Sequence, residues 1–395
     1  MTSPAQPVLS DLRRLIAADP DRFAASVFTR LFSATPSLRD LFPVTMAPLR
    51  ATFAQVVDYV LEAISAEDGH ADLIEFLAQL GRDHRKYGVT SEHYWLMYDA
   101  LMTEFSRMLG ARWTQSAYDA ASHATMLMTG VMRGAAESAA EPPVWHARVV
   151  QKFTINRERA VVRLVAEDGA PRYHAGQYTE VQIPQWPRLW RNLSPAIPPN
   201  PRGELEFHVH AIPSGQMSGT VVRETEPGDV WTFGQIHGTM RVTDDRPVLM
   251  VAGGSGLAPL RAILLDMARR VDNPQTHLFY GSRHPGELYE LGVLQQLART
   301  NPWLHVTAVA ETEADPWWID GAPDPRQWGF DLRHGRVGDV AVDYPDTHAR
   351  HSLEPRDWTD HQVLLSGPAP MVFHTQLKLR ATGVDPASIS HDPLN

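Results

Sequence analysis

The stretch RPVLMVAGGSGLAPLRAILLDMARR, Arg246–Arg270, limits the folds open to this chain more than any other. Val248–Ala252 is a short apolar run, which predicts a buried strand. A glycine-rich turn follows directly, and apolar residues then recur at helical spacing. Such a turn lets backbone N–H groups approach an anion, and the helix start adds a partial positive charge, so a phosphate-binding loop is predicted, although a plain tight turn would look alike. The turn consists of Gly253, Gly254, Ser255 and Gly256.

Composition limits the class of protein. A chain of 395 residues is long enough for two or three domains. The formal net charge of -10 argues against nucleic acid or an anionic membrane as the main partner. The absence of cysteine excludes disulfides, thiolate-ligated haem and iron–sulfur clusters held by cysteines alone. Because no apolar run could cross a bilayer and no signal-peptide pattern is seen, a cytoplasmic protein without an integral membrane segment is expected.

Residues 1–140 are predicted to be helical throughout, and their composition fits a helical bundle with an aromatic core. Two segments favour a more specific interpretation. VFTRLFSATPSLRDLF, Val27–Phe42, is similar to the second and third helices of a bacterial globin, in which a phenylalanine at the place of Phe42 packs on the haem. DHRKYGVTSEHY, Asp83–Tyr94, places His84 nine residues before a His-Tyr pair. Taken singly, a helical histidine is more often a surface or core residue than a metal ligand.

The pattern changes after Glu141-Pro142-Pro143, which predicts a linker. Short β-type runs separated by glycine and proline turns predict a small antiparallel barrel over residues 145–244. Three of its segments resemble the flavin-binding barrel of the ferredoxin-reductase superfamily, and their order and spacing favour flavin binding over ordinary turns and surface cations. They are YHAGQYTEV from Tyr173, RNLSPA from Arg191 and GQMSGTV from Gly215.

Strands alternate with helices over residues 245–395, which predicts an open parallel sheet. GGSGLAP is similar to the nicotinamide-nucleotide loop of the same superfamily, with Pro259 where other dinucleotide fingerprints have a third glycine. SGPAPM, which begins at Ser366, resembles the superfamily's Cys-Gly-Pro-x-x-Met segment. The predicted fold class is therefore multidomain: an all-α domain, an antiparallel β-barrel and an α/β parallel-sheet domain, in that order.

These segments together resemble the flavohaemoglobin family over nearly the whole chain. The resemblance implies a globin domain at residues 1–140, an FAD-binding barrel at 145–244 and an NAD-binding domain at 245–395. It implies haem b, FAD and NADH as cofactors. It also implies that His84 binds the iron and that Tyr94 and Glu137 orient it. Second-shell carboxylates of this kind increase electron donation by the imidazole.

The resemblance further implies which residues bind the two dinucleotides. Arg191 would neutralise the FAD pyrophosphate, and Ser194 would hydrogen-bond near the isoalloxazine. Backbone N–H groups after Gly215 would hold the pyrophosphate, and Ser366 would lie beside the nicotinamide. The expected FAD and NADH contacts are Arg191, Asn192, Leu193, Ser194, Gly215, Gln216, Met217, Ser218, Gly253, Gly254, Ser255, Gly256, Pro259, Ser366, Gly367, Pro368 and Leu394.

Five positions depart from the family pattern. Leu193 replaces a tyrosine and Leu394 an aromatic residue beside the flavin, and Ser366 replaces a cysteine. Phe28 aligns with the tyrosine that the family places over the iron, and Leu49 stands where the ungapped alignment expects a distal glutamine. A hydrogen bond to bound dioxygen, worth ~1.5–3 kcal/mol, would be lost. Dioxygen binding would then weaken by roughly one to two orders of magnitude.

Two classes of function remain open from the sequence. The first is an enzyme that passes electrons from NADH through FAD to the globin haem, with nitric oxide dioxygenation, the family's best-known activity, as the leading reaction. An NADH oxidase, or a reductase of haem or a small acceptor, is the alternative enzyme. The second class is a redox- or gas-sensing globin. The expected partners are dioxygen, nitric oxide and NADH, and no obligatory protein partner is inferred.

The residues after two predicted strands bear on the choice of nucleotide. Glu311, Thr312 and Glu313 stand where NADPH-dependent relatives place serine and arginine. Carboxylates repel a 2′-phosphate and accept a hydrogen bond from a ribose hydroxyl, so NADH is expected. Ser282 and Arg283 weakly favour NADPH, since an arginine there could reach a phosphate.

Overall fold

The computed structural model describes residues 6–65, 70–167, 169, 171–213, 215–319, 324–345 and 356–393. Two compact units divide the chain, the first ending at Val144 and the second beginning at Trp145. The first is helical, and the second contains two six-stranded sheets with their helices. The predicted order of folds is confirmed: an all-α domain, then an antiparallel sheet, then a parallel sheet.

The described α-helices of the first unit pack around one apolar core and a smaller aromatic cluster. The second helix begins at Pro20, where the Asp19 carboxylate accepts a hydrogen bond from the Arg22 N–H at 3.0 Å. Across the described residues, no helix combines the length and apolar character needed to span a membrane. The helices are α1 (Gln6–Ala18), α2 (Pro20–Ala34), α3 (Ala47–Ser65), α4 (Ala71–His84), α5 (Ser91–Leu109) and α6 (Gln115–Ser138).

Helices α4 and α6 make a close backbone contact at Gly81. A Cβ atom at Gly81 would lie 2.1 Å from the carbonyl oxygen of Met132 on α6, far inside van der Waals contact. Only glycine therefore permits this approach without displacing a helix. His84 follows three residues later, at the end of α4, so the same contact fixes the position of that side chain.

A buried carboxylate joins α2 to α5. Glu104 on α5 is fully buried, and it accepts hydrogen bonds from Ser26 at 2.6 Å, Arg30 at 3.3 Å and Arg107 at 3.0 Å. Burial alone would raise the pKa of Glu104, but the bonds from Arg107, Ser26 and Arg30 outweigh burial and hold it below its usual value. A lowered pKa means that the carboxylate stabilises the fold at neutral pH and loses this contribution as the pH falls through that pKa.

We expect Glu104→Gln to destabilise the helical unit by about 3 kcal/mol, because two arginines would lose a buried charged acceptor. Hydrogen exchange of the full-length chain, read in peptides from α2 and α5, measures the change. Glu75→Gln removes a carboxylate that binds Arg82 on the exposed side of α4, and it should leave these peptides unchanged. Equal protection in the wild type and Glu104→Gln would contradict the assignment.

The first sheet of the second unit is an antiparallel barrel with the strand order β4-β3-β6-β1-β2-β5. The chain after β4 returns to β5: Pro195 bridges Phe207, and the Ala196 N–H donates to the Glu206 carbonyl at 2.7 Å. This pairing closes the barrel around an apolar core, and one helix follows β5. The elements are β1 (Trp145–Asn156), β2 (Arg159–Ala166), β3 (Tyr178–Gln182), β4 (Arg191–Leu193), β5 (Glu204–His210), α7 (Gln216–Glu224) and β6 (Val230–His237).

The second sheet is parallel throughout, with the order β10-β9-β8-β7-β11-β12. Apolar cores cover both of its faces. Central strand β7 leads into a single 3₁₀ turn, Gly254–Gly256, and then into α8. The elements are β7 (Val248–Gly253), α8 (Leu257–Met267), β8 (Thr276–Ser282), α9 (Leu291–Thr300), β9 (Leu304–Ala310), β10 (Asp331–His334), α10 (Val337–Val342), β11 (Gln362–Ser366), α11 (Ala369–Ala381) and β12 (Ile389–His391).

Candidate cofactor sites

One ring nitrogen of His84 is held by the backbone of its own helix. Nδ1 lies 2.6 Å from the Leu80 carbonyl oxygen, which can only accept, so Nδ1 carries the proton. Nε2 therefore carries the lone pair, which is the state that a histidine needs to bind a metal. The structure thus supplies an oriented imidazole with the right tautomer for an iron ligand.

Tyr94 and Glu137, which the family resemblance expects to orient His84, lie in different local environments. The Tyr94 hydroxyl is buried and has no hydrogen-bond partner among the described residues. Burial, with a smaller effect from Glu137, raises the pKa of Tyr94 to about 12. The Glu137 carboxylate accepts a hydrogen bond from the Ser91 hydroxyl instead. The Leu80 carbonyl oxygen, which no side-chain motif reveals, is a hydrogen-bond partner of His84.

Phe28 lies in an aromatic cluster between α2 and α3. Its ring centroid is 4.9 Å from that of Phe53, 5.4 Å from that of Phe42 and 6.0 Å from that of Phe32. Phe28 is only 4% exposed, whereas Phe42 and Leu49 are half-buried at the edge of the cluster. This partly uncovered apolar surface, together with the His84 tautomer, fits a haem group.

A cleft of about 480 Å³ in the second unit lies between the barrel and the parallel sheet. One wall comes from the barrel strands β3, β4 and β5, and the other from the β7–α8 turn and the segment after β11. Ten of the residues expected to bind FAD or NADH line this cleft. They are Asn192, Leu193, Ser194, Gly253, Ser255, Gly256, Pro259, Ser366, Gly367 and Pro368.

Glycine is required where the two loops of the parallel sheet meet. A Cβ atom at Gly256 would lie 2.3 Å from the Ser366 carbonyl oxygen, and one at Gly253 would lie 2.5 Å from the Met371 sulfur. The β7–α8 turn therefore packs backbone against backbone on the segment after β11. A cleft formed by glycine backbone at the start of a helix fits phosphate-bearing cofactors.

The remaining expected contacts do not line the cleft within the described residues. Arg191 is exposed, and its Nη1 donates to the Trp190 carbonyl oxygen at 2.8 Å. The Met217 side chain is buried in the barrel core. Leu394 lies outside the described residues. The others that do not line it are Gly215, Gln216 and Ser218, at the start of α7, and Gly254, whose φ is +55°.

Ten further residues line the cleft that the sequence did not single out as site residues, and five of them have polar side chains: Tyr178, His208, His210, His391 and Asp392. Tyr178 lies within the flavin-barrel segment noted in the sequence, so a signal for it existed. His208 and His210 alternate along β5, and period two could have shown that they share a face. His391 and Asp392 lie near the end of the chain, where no pattern in a single sequence marks them.

Among the described residues that line the cleft, Asp392 supplies the carboxyl group. Its Oδ1 is buried without a hydrogen-bond partner in the described structure, and burial raises its pKa to about 6 despite an opposing effect of His391. Such a group exchanges a proton close to neutral pH, and a raised pKa means that the ionised form costs the fold stability above about pH 6. Asp392 can therefore hold a proton at the edge of the cleft.

A buried ion network supports the wall that β5 contributes. Glu206 binds Arg163 at 2.7 Å, Arg261 of α8 at 3.0 Å and His208 at 3.2 Å. Burial would raise the pKa of Glu206, but these three partners lower it to about 2. The carboxylate is therefore ionised at any physiological pH, and it fixes a barrel strand to the helix of the nucleotide loop.

The fold and the two sites define the class of protein: a globin joined to a reductase that binds a flavin and a nicotinamide dinucleotide. Family models match in the same order. The model described as Globin covers residues 25–132, Oxidoreductase FAD-binding domain covers 146–241, and Oxidoreductase NAD-binding domain covers 250–323.

Comparison with whole proteins gives the same result. The Flavohemoprotein of Bordetella pertussis is 28% identical over 90% of this chain and 89% of its own length. A solved flavohemoglobin from Malassezia yamatoensis, with bound FAD and heme, superposes with a TM-score of 0.74 at 17% identity, covering 100% of this chain and 99% of that one. The reductase component of a phenol 2-monooxygenase from Pseudomonas is 31% identical over 37% of this chain, which spans only 42% of that protein.

The chain is similar to flavohaemoglobins over nearly its whole length, and it is an oxidoreductase built from a globin and an FAD- and NAD-binding reductase. Haem, FAD and a nicotinamide dinucleotide are its cofactors.

We expect Gly256→Ala to slow anaerobic reduction of the flavin by NADH by about a hundredfold, because the new Cβ would displace the Ser366 segment by roughly an ångström. Stopped-flow absorbance of the flavin measures the rate, and the FAD content should stay unchanged. Gly130→Ala, in α6, is the control, because no atom lies within 4 Å of the added carbon. Unaltered reduction by Gly256→Ala would contradict the close approach of the two loops.

Proposed function

We propose that this protein is an NADH-dependent nitric oxide dioxygenase, in which electrons pass from NADH through FAD to the globin haem. The observation that carries the proposal is that one chain holds both an imidazole in metal-binding form, at His84, and a cleft whose two walls bring together the flavin and nicotinamide motifs. When bound, the flavin accepts electrons in pairs from NADH and releases them singly to the haem iron, at which nitric oxide and dioxygen give nitrate.

The residues of the globin unit have distinct proposed roles. His84 binds the iron through Nε2, since Nδ1 donates to Leu80. Tyr94 is proposed to help orient that imidazole, as a neutral group, because its hydroxyl is buried and its pKa is raised to about 12. Glu137 acts at a distance, through its charge, while its hydrogen bond goes to Ser91.

In the reductase unit, the cleft residues bind and orient the two dinucleotides. The Asn192-Leu193-Ser194 segment presents its polar groups to the flavin from the barrel wall, and Gly253, Ser255 and Gly256 present backbone N–H groups to the nucleotide. Ser366, with Gly367 and Pro368, closes the nicotinamide side of the cleft. Arg191 and the Gly215-Gln216-Met217-Ser218 turn remain proposed contacts of the FAD pyrophosphate. Gly254 and Pro259 remain proposed contacts of the nicotinamide nucleotide, and Leu394 of the flavin.

The loops after β8 and β9 support a preference for NADH. The Ser282 hydroxyl donates to the His284 carbonyl oxygen at 2.6 Å, and Thr312 donates to the Arg283 carbonyl oxygen at 3.0 Å. These hydroxyls are therefore used within the loops, while the Glu311 and Glu313 carboxylates are exposed. A 2′-phosphate would meet two negative charges there.

We expect kcat/KM for flavin reduction to favour NADH over NADPH by about tenfold or more, because like charges brought together cost binding free energy. Steady-state reduction of an artificial acceptor measures both constants. Glu311→Gln with Glu313→Gln should narrow the ratio, and the matched change Asp331→Asn on β10 should not. An equal or larger constant for NADPH in the wild type would contradict the assignment.

Phe28 gives a specific reason to consider a second function. A phenyl ring cannot donate a hydrogen bond to dioxygen, and it packs tightly against Phe42 and Phe53. This arrangement would weaken dioxygen binding while still allowing reduction of the haem. An NADH oxidase, a reductase of haem or of a small acceptor, or a redox- or gas-sensing globin is therefore the alternative.

We expect the wild-type haem to be reduced by NADH without air, and the reduced protein to convert nitric oxide and dioxygen to nitrate slowly. Phe28→Tyr should slow dioxygen release by roughly tenfold or more and raise nitric oxide consumption, because it restores a donor. Stopped-flow dioxygen release and nitric oxide consumption measure the two effects.

His84→Ala should lose haem ligation while NADH still reduces the flavin.

The outcomes separate the candidates. If the flavin is reduced while the haem stays ferric, electron transfer within the chain is wrong, and a sensor or a separate reductase is favoured. If the haem is reduced but no nitrate forms even in Phe28→Tyr, the oxidase or small-acceptor reductase replaces the dioxygenase. If Phe28→Tyr forms nitrate but leaves both rates unchanged, the position of Phe28 over the iron is wrong.

A further inference from the structure

The outer face of β2 and β5 carries a ladder of polar side chains. The two strands are antiparallel, and alternate residues point into the barrel core, so the others share the opposite face. This face meets α8 and the loop after β8, where His208 bonds Tyr289 at 3.1 Å and Arg261 bonds Glu206. The directly opposed pairs on it are Arg159–His210, Val161–His208 and Arg163–Glu206.

Arg159, at the end of this ladder, reaches the glycine turn of the nucleotide loop. One of its guanidinium nitrogens, Nη2, lies 3.8 Å from the point that a Cβ on Gly254 would occupy. The side chain is about nine-tenths buried, at 7% exposure, and its Nε has no hydrogen-bond partner within the described residues. A buried arginine whose Nε–H is unused, and which lies beside an anion-binding turn, can bind a negatively charged ligand.

The charge of Arg159 is only partly satisfied by the protein. Its Nη1 donates to the Glu287 carbonyl oxygen at 3.1 Å, while the Glu287 carboxylate lies 3.6 Å away, beyond hydrogen-bond distance. That carboxylate also accepts from the His284 N–H at 3.0 Å, as the cap of a short turn. The Glu287 carboxylate therefore forms a hydrogen bond within its own loop in addition to its ion pair with Arg159.

The neighbouring His210 does not carry a positive charge beside the glycine turn. Burial, and next the charge of Arg159, lower the pKa of His210, so its imidazole is neutral at pH 7. The Glu158 carboxylate lies 3.8 Å from it, and His210 lines the cleft. The positive charge on this side of the glycine turn is thus carried by the Arg159 guanidinium.

We propose that Arg159 is a nucleotide-binding residue that the flavin barrel contributes to the other half of the reductase: its guanidinium holds the pyrophosphate of the nicotinamide dinucleotide at the glycine turn Gly253–Gly256. Backbone N–H groups and the start of α8 offer only partial charges to a dianion, and a guanidinium adds a full charge with a planar pair of donors. Because the residue comes from β2, bound nucleotide would also hold the barrel against the parallel sheet.

Binding of ADP-ribose to the oxidised holoprotein tests this assignment, because ADP-ribose carries the pyrophosphate and cannot reduce the flavin. Calorimetry on Arg159→Met should show affinity lower by about tenfold or more, and a weaker dependence on ionic strength. Arg159→Lys should recover part of the loss. Arg148→Met, on β1 of the same barrel, removes an arginine that binds Glu167 and should bind ADP-ribose as the wild type does.

A purely structural role for Arg159 predicts a different result in a double variant that combines Arg159→Met with Glu287→Gln. If Arg159 only neutralises buried Glu287, then Arg159→Met with Glu287→Gln restores both the fold and the affinity, and the proposal is overturned. If Arg159 binds the pyrophosphate, the double variant folds but still binds ADP-ribose weakly. It also overturns the proposal if Arg159→Met loses FAD rather than ADP-ribose. None of these readings involves haem or nitric oxide, so they do not depend on the proposed dioxygenase activity.

Discussion

Arg261 brings a positive charge into the interior of the reductase unit, and the geometry of the cleft depends on how that charge is satisfied. Its Nη1 contacts the Glu206 carboxylate at 3.0 Å and donates to the Ala196 carbonyl oxygen at 2.7 Å. Its Nε lies 2.9 Å from Glu290, an ion pair without hydrogen-bond geometry. Since Arg261 is on α8, Glu206 on β5 and Ala196 at the end of the flavin segment RNLSPA, one side chain joins both walls of the cleft. Removing Glu206 or Glu290 would leave this buried charge with one carboxylate partner instead of two.

The globin unit positions its candidate ligand with backbone groups. Gly81 lets α4 approach α6, and the Leu80 carbonyl oxygen fixes the His84 tautomer. Both effects act within one turn of His84, and neither uses the side chains that mark the family motif. The Phe28 cluster shapes the other candidate surface through ring packing alone. The orientation of the His84 imidazole therefore does not depend on the Phe28 cluster. Changes in that cluster can alter the ligand chemistry while His84 keeps its orientation.

Sequence reasoning predicted the order of folds and ten residues of the cleft, because glycine turns and strand periods are local signals. It did not predict that Glu137 bonds Ser91, or that Arg191 folds back on Trp190, since these depend on side-chain partners that spacing does not specify. Asp392 was missed for a similar reason: its pKa of about 6 arises from burial under distant elements. The Arg159–His210 pair is long-range as well, because it depends on the register of β2 against β5.

The register of β2 against β5 limits how these two strands can change in evolution. On β2 and β5, one set of alternating residues, with Val162 and Phe207 among them, fills the barrel core, and the other set carries the charges that face α8 and its turn. A deletion or insertion of one residue in either strand would exchange the two sets, placing arginine and glutamate in the core and phenylalanine against Arg261. Substitutions can accumulate here only as matched pairs, while the lengths of both strands stay fixed. Homologues should therefore vary in the identity of these charges and place their insertions in the turns.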